Sequence, residues 1–111
     1  MNHISQFYSP NFDLIKRKKE IIKFLVFHYT GMKNEMSALK RLSNINSKVS
    51  CHYFIKKNGT VINLVPDLYI SWHAGVSFWK NLKKINKYSI GIEIHNPCLL
   101  YTSDAADDVI S

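Results

Sequence analysis

Two ionisable side chains in this sequence lie where apolar segments end. His28 follows the apolar run Phe24 to Phe27, and Glu93 lies in the alternating segment SIGIEI. Reactive groups gather at strand ends because the sheet holds the backbone rigid while the adjoining loops stay open to substrate. Each residue alone also has a structural explanation, since a lone strand histidine is usually a satisfied core or edge residue and an inward glutamate usually has a basic partner. His28 and Glu93 indicate a functional site only if other reactive residues accompany them in a fixed order along the sequence.

The segments around His28 predict a strand followed by a helix. Residues Phe24 to Phe27 are typical of a buried strand, which Gly31 breaks. In the next segment, NEMSALKRLSNI, apolar residues recur at helical spacing and Asn34 is a candidate N-cap. We expect this apolar stripe to pack in the core; it comprises Met36, Leu39, Leu42 and Ile45.

The second half of the chain predicts a hairpin, a loop and a final strand. Two short β-segments flank Lys57-Asn58-Gly59-Thr60, and an Asn-Gly pair is a strong signal for a tight hairpin turn. Pro66 is expected to end the second segment, and the loop SWHAGVSFW and the polar segment NLKKINK follow it. In the last strand, alternation places Glu93 on the same face as Gly91 and His95, opposite the isoleucines. The order predicts a mixed α/β domain.

Composition limits the class of the protein. At 111 residues with 46% hydrophobic residues, the chain suits one globular domain with a modest core. Fifteen basic residues outweigh eight acidic ones, and the net charge of +7 favours anionic partners without choosing among them. No apolar run approaches the roughly 18 residues that a membrane-spanning helix needs, and the N-terminus lacks a secretory signal pattern. As written, the sequence predicts a cytoplasmic protein; a periplasmic location would require a signal upstream.

Other patterns exclude some sites. The arm SPNFDLIKRKKE is expected to be irregular, and its basic run Lys16 to Lys19 to be a solvated face. The two cysteines, Cys51 and Cys98, form no C-x-x-C pair, so any metal would need histidine or carboxylate ligands. Nucleic-acid binding is disfavoured, because no basic stretch is patterned with Trp72 and Trp79 as a stacking platform would be.

Residues 98–111 differ in composition from the rest of the chain. They contain no Lys or Arg and three of the eight acidic residues. An acidic, solvated terminus would explain this composition, but the string CLLYTSDAAD resembles the in-frame translation of a transposase adapter used to prepare sequencing libraries. We therefore expect residues 1–97 to be the N-terminal part of a single domain and residues 98–111 to be a non-native tail.

Four strings in a fixed order resemble one enzyme family. HYTG, VSCHYFIKKNGTV, WHAGVSFW and NKYSIGIEIHNP are together similar to the zinc-dependent N-acetylmuramoyl-L-alanine amidases of bacteria. This is the type 2, AmpD/AmiD-like group, which is related to phage lysozyme-type amidases and peptidoglycan recognition proteins. The resemblance spans about residues 8–97, and WHAG with SIGIE is its most specific part. It implies an α/β fold with a mixed central β-sheet flanked by helices, incomplete at the C-terminus of this chain.

The resemblance implies roles for several residues. His28 matches the first zinc ligand, and Glu93 matches the catalytic carboxylate that takes a proton from water and gives it to the leaving amine. Trp72, His73 and Ala74 are expected to bind substrate. The other two ligands, a histidine and an aspartate or cysteine, are expected beyond residue 97. The implied activity is hydrolysis of the amide between N-acetylmuramic acid and L-alanine in peptidoglycan or muropeptides, with zinc as cofactor.

Some positions depart from the family. His52 is expected to be structural, and His95 is not expected to bind metal because the family is usually aliphatic there. Some relatives place a catalytic tyrosine where this chain has Cys51; since those enzymes can lack the glutamate, this chain is expected to rely on Glu93. The alternative function is a non-catalytic peptidoglycan-binding module, but retention of both His28 and Glu93 favours the enzyme. The truncated chain itself is expected to bind zinc weakly and to be inactive.

Overall fold

A computed structural model describes residues 4–74, 85–96 and 108–110, so Trp79, Cys98 and most of the predicted tail lie outside the described residues. Within them, six strands form one sheet in the spatial order β1-β4-β3-β5-β2-β6. The strands are β1 (Ile4–Gln6), β2 (Phe24–Tyr29), β3 (Tyr53–Ile55), β4 (Val61–Asn63), β5 (Ser89–Ile94) and β6 (Asp108–Ile110). The β3–β4 and β2–β6 pairs are antiparallel and the other pairs are parallel. This arrangement confirms the predicted mixed sheet. Strand β6 lies within residues 98–111, and the interpretation of these residues as a non-native tail stays a prediction.

Helix α1 (Glu35–Ser43) covers one face of the sheet. Its N-terminus is capped as predicted, since Asn34 Oδ1 accepts a hydrogen bond of 3.0 Å from the amide of Ser37. Buried residues of α1 pack on side chains of β3, β4 and the segments beside them; the cluster contains Ala38, Leu39, Leu42, Cys51, Phe54, Ile62, Leu64 and Val65. The hydrophobic core thus lies between the helix and this face of the sheet.

The predicted apolar stripe of the helix is wrong at both ends. Met36 is 52% exposed and Ile45 is 64% exposed, whereas Leu39 and Leu42 are buried. The helix ends at Ser43, so Ile45 falls in a separate 3-10 turn, Ile45–Ser47, and leaves the helical periodicity. Met36 lies in the first turn, where it lines an open cleft instead of the core.

The hairpin forms where the Asn-Gly pair predicted it. The amide of Lys56 donates to the carbonyl of Thr60 at 2.8 Å, and Gly59 has a φ of +91°, which favours glycine. Asn58 Oδ1 accepts from the amide of Thr60 at 2.9 Å. Strand β4 ends at Asn63, before the predicted limit at Pro66.

The basic run of the N-terminal arm is not solvated throughout, which corrects the prediction. Arg17 is only 6% exposed, whereas Lys16, Lys18 and Lys19 are exposed. Its guanidinium donates to the carbonyl of Asp67 at 2.8 Å and to those of Asn86 and Lys87 at 3.0 and 2.9 Å. Arginine carries five donors in a fixed fork, so it can join two loops in a way that a lysine cannot. No helix among the described residues has the length and apolarity that crossing a membrane requires.

Candidate active site

His28 and Glu93 lie side by side in the middle of the sheet. Strands β2 and β5 are parallel neighbours, and their register pairs His28 with Glu93. Because side chains alternate between the faces of a strand, paired residues point to the same face. Phe54 of β3 is the partner of Glu93 on its other side, so this is the face that α1 covers. The sheet therefore brings together the predicted ligand and the predicted catalytic carboxyl.

The environment of Glu93 changes its acidity. Burial disfavours the charged carboxylate and raises the pKa of Glu93 to about 7, although the positive charge of Arg41 acts in the opposite direction. A carboxyl group with this pKa exchanges its proton near neutral pH, which is the property that a general acid and base requires.

His73 of the WHAG loop lies against His28. Its Nδ1 is 3.0 Å from Nε2 of His28, and the two rings meet edge to face with centroids 5.2 Å apart. Gly91 makes room for this ring, because a Cβ at that position would lie 2.3 Å from Cγ of His73. The WHAG and SIGIE strings therefore form one site, with the glycine of SIGIE accommodating the histidine of WHAG.

A chain of hydrogen bonds sets the tautomers of both rings. The hydroxyl of Ser89 donates to the carbonyl of Ile85 at 2.7 Å, so its oxygen accepts at 2.9 Å from Nε2 of His73. With its proton on Nε2, neutral His73 accepts through Nδ1, and Nε2 of His28 is the donor. Neutral His28 therefore has Nδ1 as its unprotonated nitrogen.

The charge state of His73 agrees with this chain. Burial is the main reason that the pKa of His73 lies well below its ordinary value, and the nearby His28, His52 and Arg17 lower it further. The ring therefore stays neutral at physiological pH and can act as a hydrogen-bond acceptor towards His28.

His52 is the structural histidine of this region. It is fully buried, its Nε2 donates to the carbonyl of Tyr69 at 2.7 Å, and its Nδ1 accepts at 3.0 Å from the amide of Gly91 and from the hydroxyl of Ser71. Burial lowers the pKa of His52 to about 4, and the charge of Arg17, 3.3 Å from Nε2, adds to the effect. His52 thus holds β5 against the WHAG loop, in the role predicted for it.

Trp72 and Ala74 of WHAG also fix the loop in place. The indole N–H of Trp72 donates to the carboxylate of Asp13 at 2.8 Å, and the backbone amide of Trp72 donates to the hydroxyl of Ser50 at 2.9 Å. The backbone amide of Ala74 donates to Oδ1 of Asn86 at 2.9 Å. These contacts attach the loop to the N-terminal arm and to the turn before β5, and substrate binding by Trp72, His73 and Ala74 stays a prediction.

Sequence reasoning missed several residues of this network. Ser89 had a readable signal, because it alternates with Gly91 and Glu93 on one face of the final strand. Arg17 had none, since it lies in a run of similar basic residues and only the folded loops distinguish it. Asn86 and Asp13 likewise lie in polar segments whose partners are distant in sequence.

The described residues do not by themselves form a zinc site. Among residues 4–74, 85–96 and 108–110, no group of three or more His, Cys, Asp or Glu side chains is placed to hold a metal ion. His28 would supply one imidazole, whereas a catalytic zinc takes three protein ligands. Cys51 is buried, and burial raises the pKa of its thiol well above the ordinary value, so it is no thiolate ligand.

Comparison with known proteins places this site in a family. The family model described as N-acetylmuramoyl-L-alanine amidase matches residues 17–109. The chain is 39% identical over 82 residues to N-acetylmuramoyl-L-alanine amidase AmiD of Escherichia coli K12, which is 68% of this chain and 29% of AmiD. It is 38% identical over 58 residues to 1,6-anhydro-N-acetylmuramyl-L-alanine amidase AmpD of the same organism, which is 52% of this chain and 32% of AmpD. The chain thus spans about a third of the length of these relatives.

Solved structures share the fold. A selenomethionine derivative of AmpD superposes with a TM-score of 0.70 at 25% identity, over 92% of this chain and 66% of that one. Escherichia coli AmiD, solved with the substrate anhydro-N-acetylmuramic acid-L-Ala-D-γ-Glu-L-Lys, superposes with a TM-score of 0.60 at 35% identity, over 77% of this chain and 34% of that one. Because the family match extends over residues 17–109, the chain belongs to the N-acetylmuramoyl-L-alanine amidase family.

Proposed function

We propose that the full-length protein hydrolyses the amide bond between N-acetylmuramic acid and L-alanine in peptidoglycan or in muropeptides. The observation that carries the proposal is the register of His28 opposite Glu93 on neighbouring strands of an amidase-family sheet. Relatives named as amidases of this bond support it, as does the solved complex of AmiD with an anhydro-N-acetylmuramic acid peptide.

Glu93 is the residue to which we assign proton transfer. Its pKa of about 7 means that a large fraction is ionised at neutral pH, and the carboxylate can then accept a proton from the attacking water. The water oxygen forms a bond to the amide carbonyl carbon. Glu93 next delivers the proton to the amide nitrogen as the C–N bond breaks. The products are a carboxylic acid on the lactyl group and a free amine on L-alanine.

We propose zinc as the cofactor and His28 as one ligand. Bound zinc would supply Lewis acidity towards the carbonyl and would lower the pKa of a coordinated water. Neutral His28 would bind through Nδ1, because its Nε2 donates to His73. Such a hydrogen bond on the far nitrogen orients a ligand imidazole. The remaining ligands would come from outside the described residues.

The test uses the full-length protein and the muropeptide N-acetylmuramic acid-L-Ala-D-γ-Glu-L-Lys. Mass spectrometry should detect the free sugar acid and the tripeptide. Removal of metal by a chelator should stop the reaction, and added zinc should restore it. Binding of the muropeptide without cleavage would favour the non-catalytic module, and cleavage that survives complete metal removal would reject zinc but not the amidase.

A further inference from the structure

The N-terminal arm exposes two adjacent aliphatic side chains. Leu14 is 84% exposed and Ile15 is 82% exposed, the highest values among the large hydrophobic residues that the structure describes. Single exposed apolar residues are common on protein surfaces and need no explanation, whereas contiguous ones mark interaction sites. This pair is therefore a candidate contact surface.

The segment that carries the pair, residues 13–19, is named the arm loop, and the fold holds it on both sides of the pair. The amide of Asp13 donates to the carbonyl of Ile70 at 3.0 Å, and the amide of Arg17 donates to the carbonyl of Leu68 at 2.8 Å. The carboxylate of Asp13 also accepts from the indole of Trp72 at 2.8 Å. Turning the aliphatic pair towards the core would break these bonds. Because the loop is already ordered, binding through it costs little conformational entropy.

Basic side chains surround the aliphatic pair. The exposed basic residues of the arm loop are Lys16, Lys18 and Lys19. Exposed Lys87 lies beside the loop, because its carbonyl accepts from Nη1 of Arg17 at 2.9 Å. Asp13 is the single acidic residue of the loop, and Glu20 follows it. The surface around the pair therefore carries excess positive charge, which attracts an anionic partner.

We propose that the arm loop docks the protein on an anionic phospholipid surface. Its lysines contact the lipid phosphates, while Leu14 and Ile15 enter the boundary between the headgroups and the acyl chains. A hydrated polyanion, such as a nucleic acid or an acidic glycan, would contact the lysines but would leave both aliphatic side chains in water. The combination of charge and aliphatic exposure therefore favours a lipid surface. This binding does not depend on the proposed amidase activity.

The test measures sedimentation of the full-length protein with vesicles. Vesicles of equal parts phosphatidylcholine and phosphatidylglycerol should bind it at least about 10-fold more tightly than phosphatidylcholine alone, since each lysine near an anionic surface contributes about 5-fold. The double variant Leu14→Ser/Ile15→Ser should bind the anionic vesicles at least about 10-fold more weakly, because it loses the apolar contact. Ile45→Ser is the control, since Ile45 is 64% exposed but lies outside the arm loop, and it should bind like the wild type. Equal thermal midpoints would show that the variants are folded.

A second measurement reports insertion directly. In Leu14→Trp, anionic vesicles should shift the fluorescence to shorter wavelength, and brominated acyl chains should quench it, beyond any change in the wild type with its native tryptophans. Binding of Leu14→Ser/Ile15→Ser as tight as that of the wild type would reduce the interaction to charge alone and overturn lipid docking. Dimerisation of the wild type without vesicle binding, abolished in the double variant, would assign the pair to a second copy of the chain and would equally overturn the proposal. Muropeptide cleavage in either case leaves the amidase function intact.

Discussion

Nε2 of His28 lies 3.0 Å from Nδ1 of His73, although the two residues are 45 positions apart in sequence. The contact depends on Gly91, where a Cβ would fall 2.3 to 2.7 Å from atoms of the His73 side chain. Ser89 holds the other side of the ring through Nε2. His73 is thus placed to orient His28 and to fix its tautomer. The contributions of Gly91 and Ser89 to the position of His73 can be tested separately.

Gly91→Ala should displace His73 from His28. The added methyl group overlaps the His73 ring, and overpacking of this kind typically costs about 1–3 kcal/mol of stability. We expect the thermal midpoint to fall and kcat/KM of the full-length protein to drop by at least about 10-fold, as misplaced active-site groups commonly cause. Long-range ¹H–¹⁵N spectra of the imidazoles would report the displacement. Ile92→Val, on the opposite face of the same strand, is the matched control; unchanged imidazole spectra in Gly91→Ala would show that Gly91 does not control the position of His73.

His28→Ala should remove zinc from the full-length protein. A catalytic zinc with one of three ligands missing binds poorly, so the dialysed variant should contain far less than one zinc per chain and should lack activity. His73→Gln is an informative companion, because loss of an orienting partner typically weakens metal affinity by about 10–100-fold without abolishing it. Metal analysis after dialysis measures both. Stoichiometric zinc in His28→Ala would show that His28 is not a ligand.

The sequence predicted those parts of the site that local patterns encode. Alternation in SIGIEI placed Gly91 and Glu93 on one face, and the apolar run before His28 predicted the strand that carries it. The register that sets His28 opposite Glu93 was not readable, because pairing between distant strands depends on packing across the whole sheet.

The wrong predictions for Met36, Ile45 and Arg17 have a common physical origin. Met36 and Ile45 matched the helical period, but Met36 lies in the first turn of the helix and Ile45 lies beyond its last residue, where the period no longer determines burial. Arg17 looked like its lysine neighbours, yet three backbone carbonyls from two distant loops surround it. Tertiary contacts of this kind leave no periodic signal in the segment that makes them.

Arg17→Met should destabilise the fold far more than loss of a neighbouring charge. The variant keeps an unbranched, apolar stem but lacks the guanidinium, so the carbonyls of Asp67, Asn86 and Lys87 lose their donor. Hydrogen bonds to charged groups contribute about 1.5–3 kcal/mol, so a loss of about 3 kcal/mol or more is expected in denaturant unfolding. Lys18→Met is the control, because Lys18 is exposed and should change stability by less than about 0.5 kcal/mol. Equal effects of the two substitutions would mean that the buried guanidinium does not join the loops.

Glu93→Gln should affect catalysis and stability in opposite directions. Removal of the proton acceptor should lower kcat/KM of the full-length protein by about 100-fold or more. The wild type is expected to gain activity as pH increases through about 7, and the variant should lack this gain.

The sign of the stability effect follows from the raised pKa of Glu93, about 7 in the folded state against an ordinary 4.5. Between these values the folded state holds a proton that the unfolded state has released, so the stability of the wild type falls as pH rises through this window. The neutral glutamine avoids this loss, and the variant should therefore be more stable than the wild type at pH 8 and similar at pH 4. His52 acts in the opposite sense, since its folded pKa of about 4 lies below the ordinary 6.5 and costs stability as pH falls from 6.5 towards 4. Because both proteins contain His52, the difference between their thermal midpoints at each pH isolates Glu93. A difference that stays constant from pH 4 to pH 8 would show that Glu93 is not a buried carboxyl with a raised pKa.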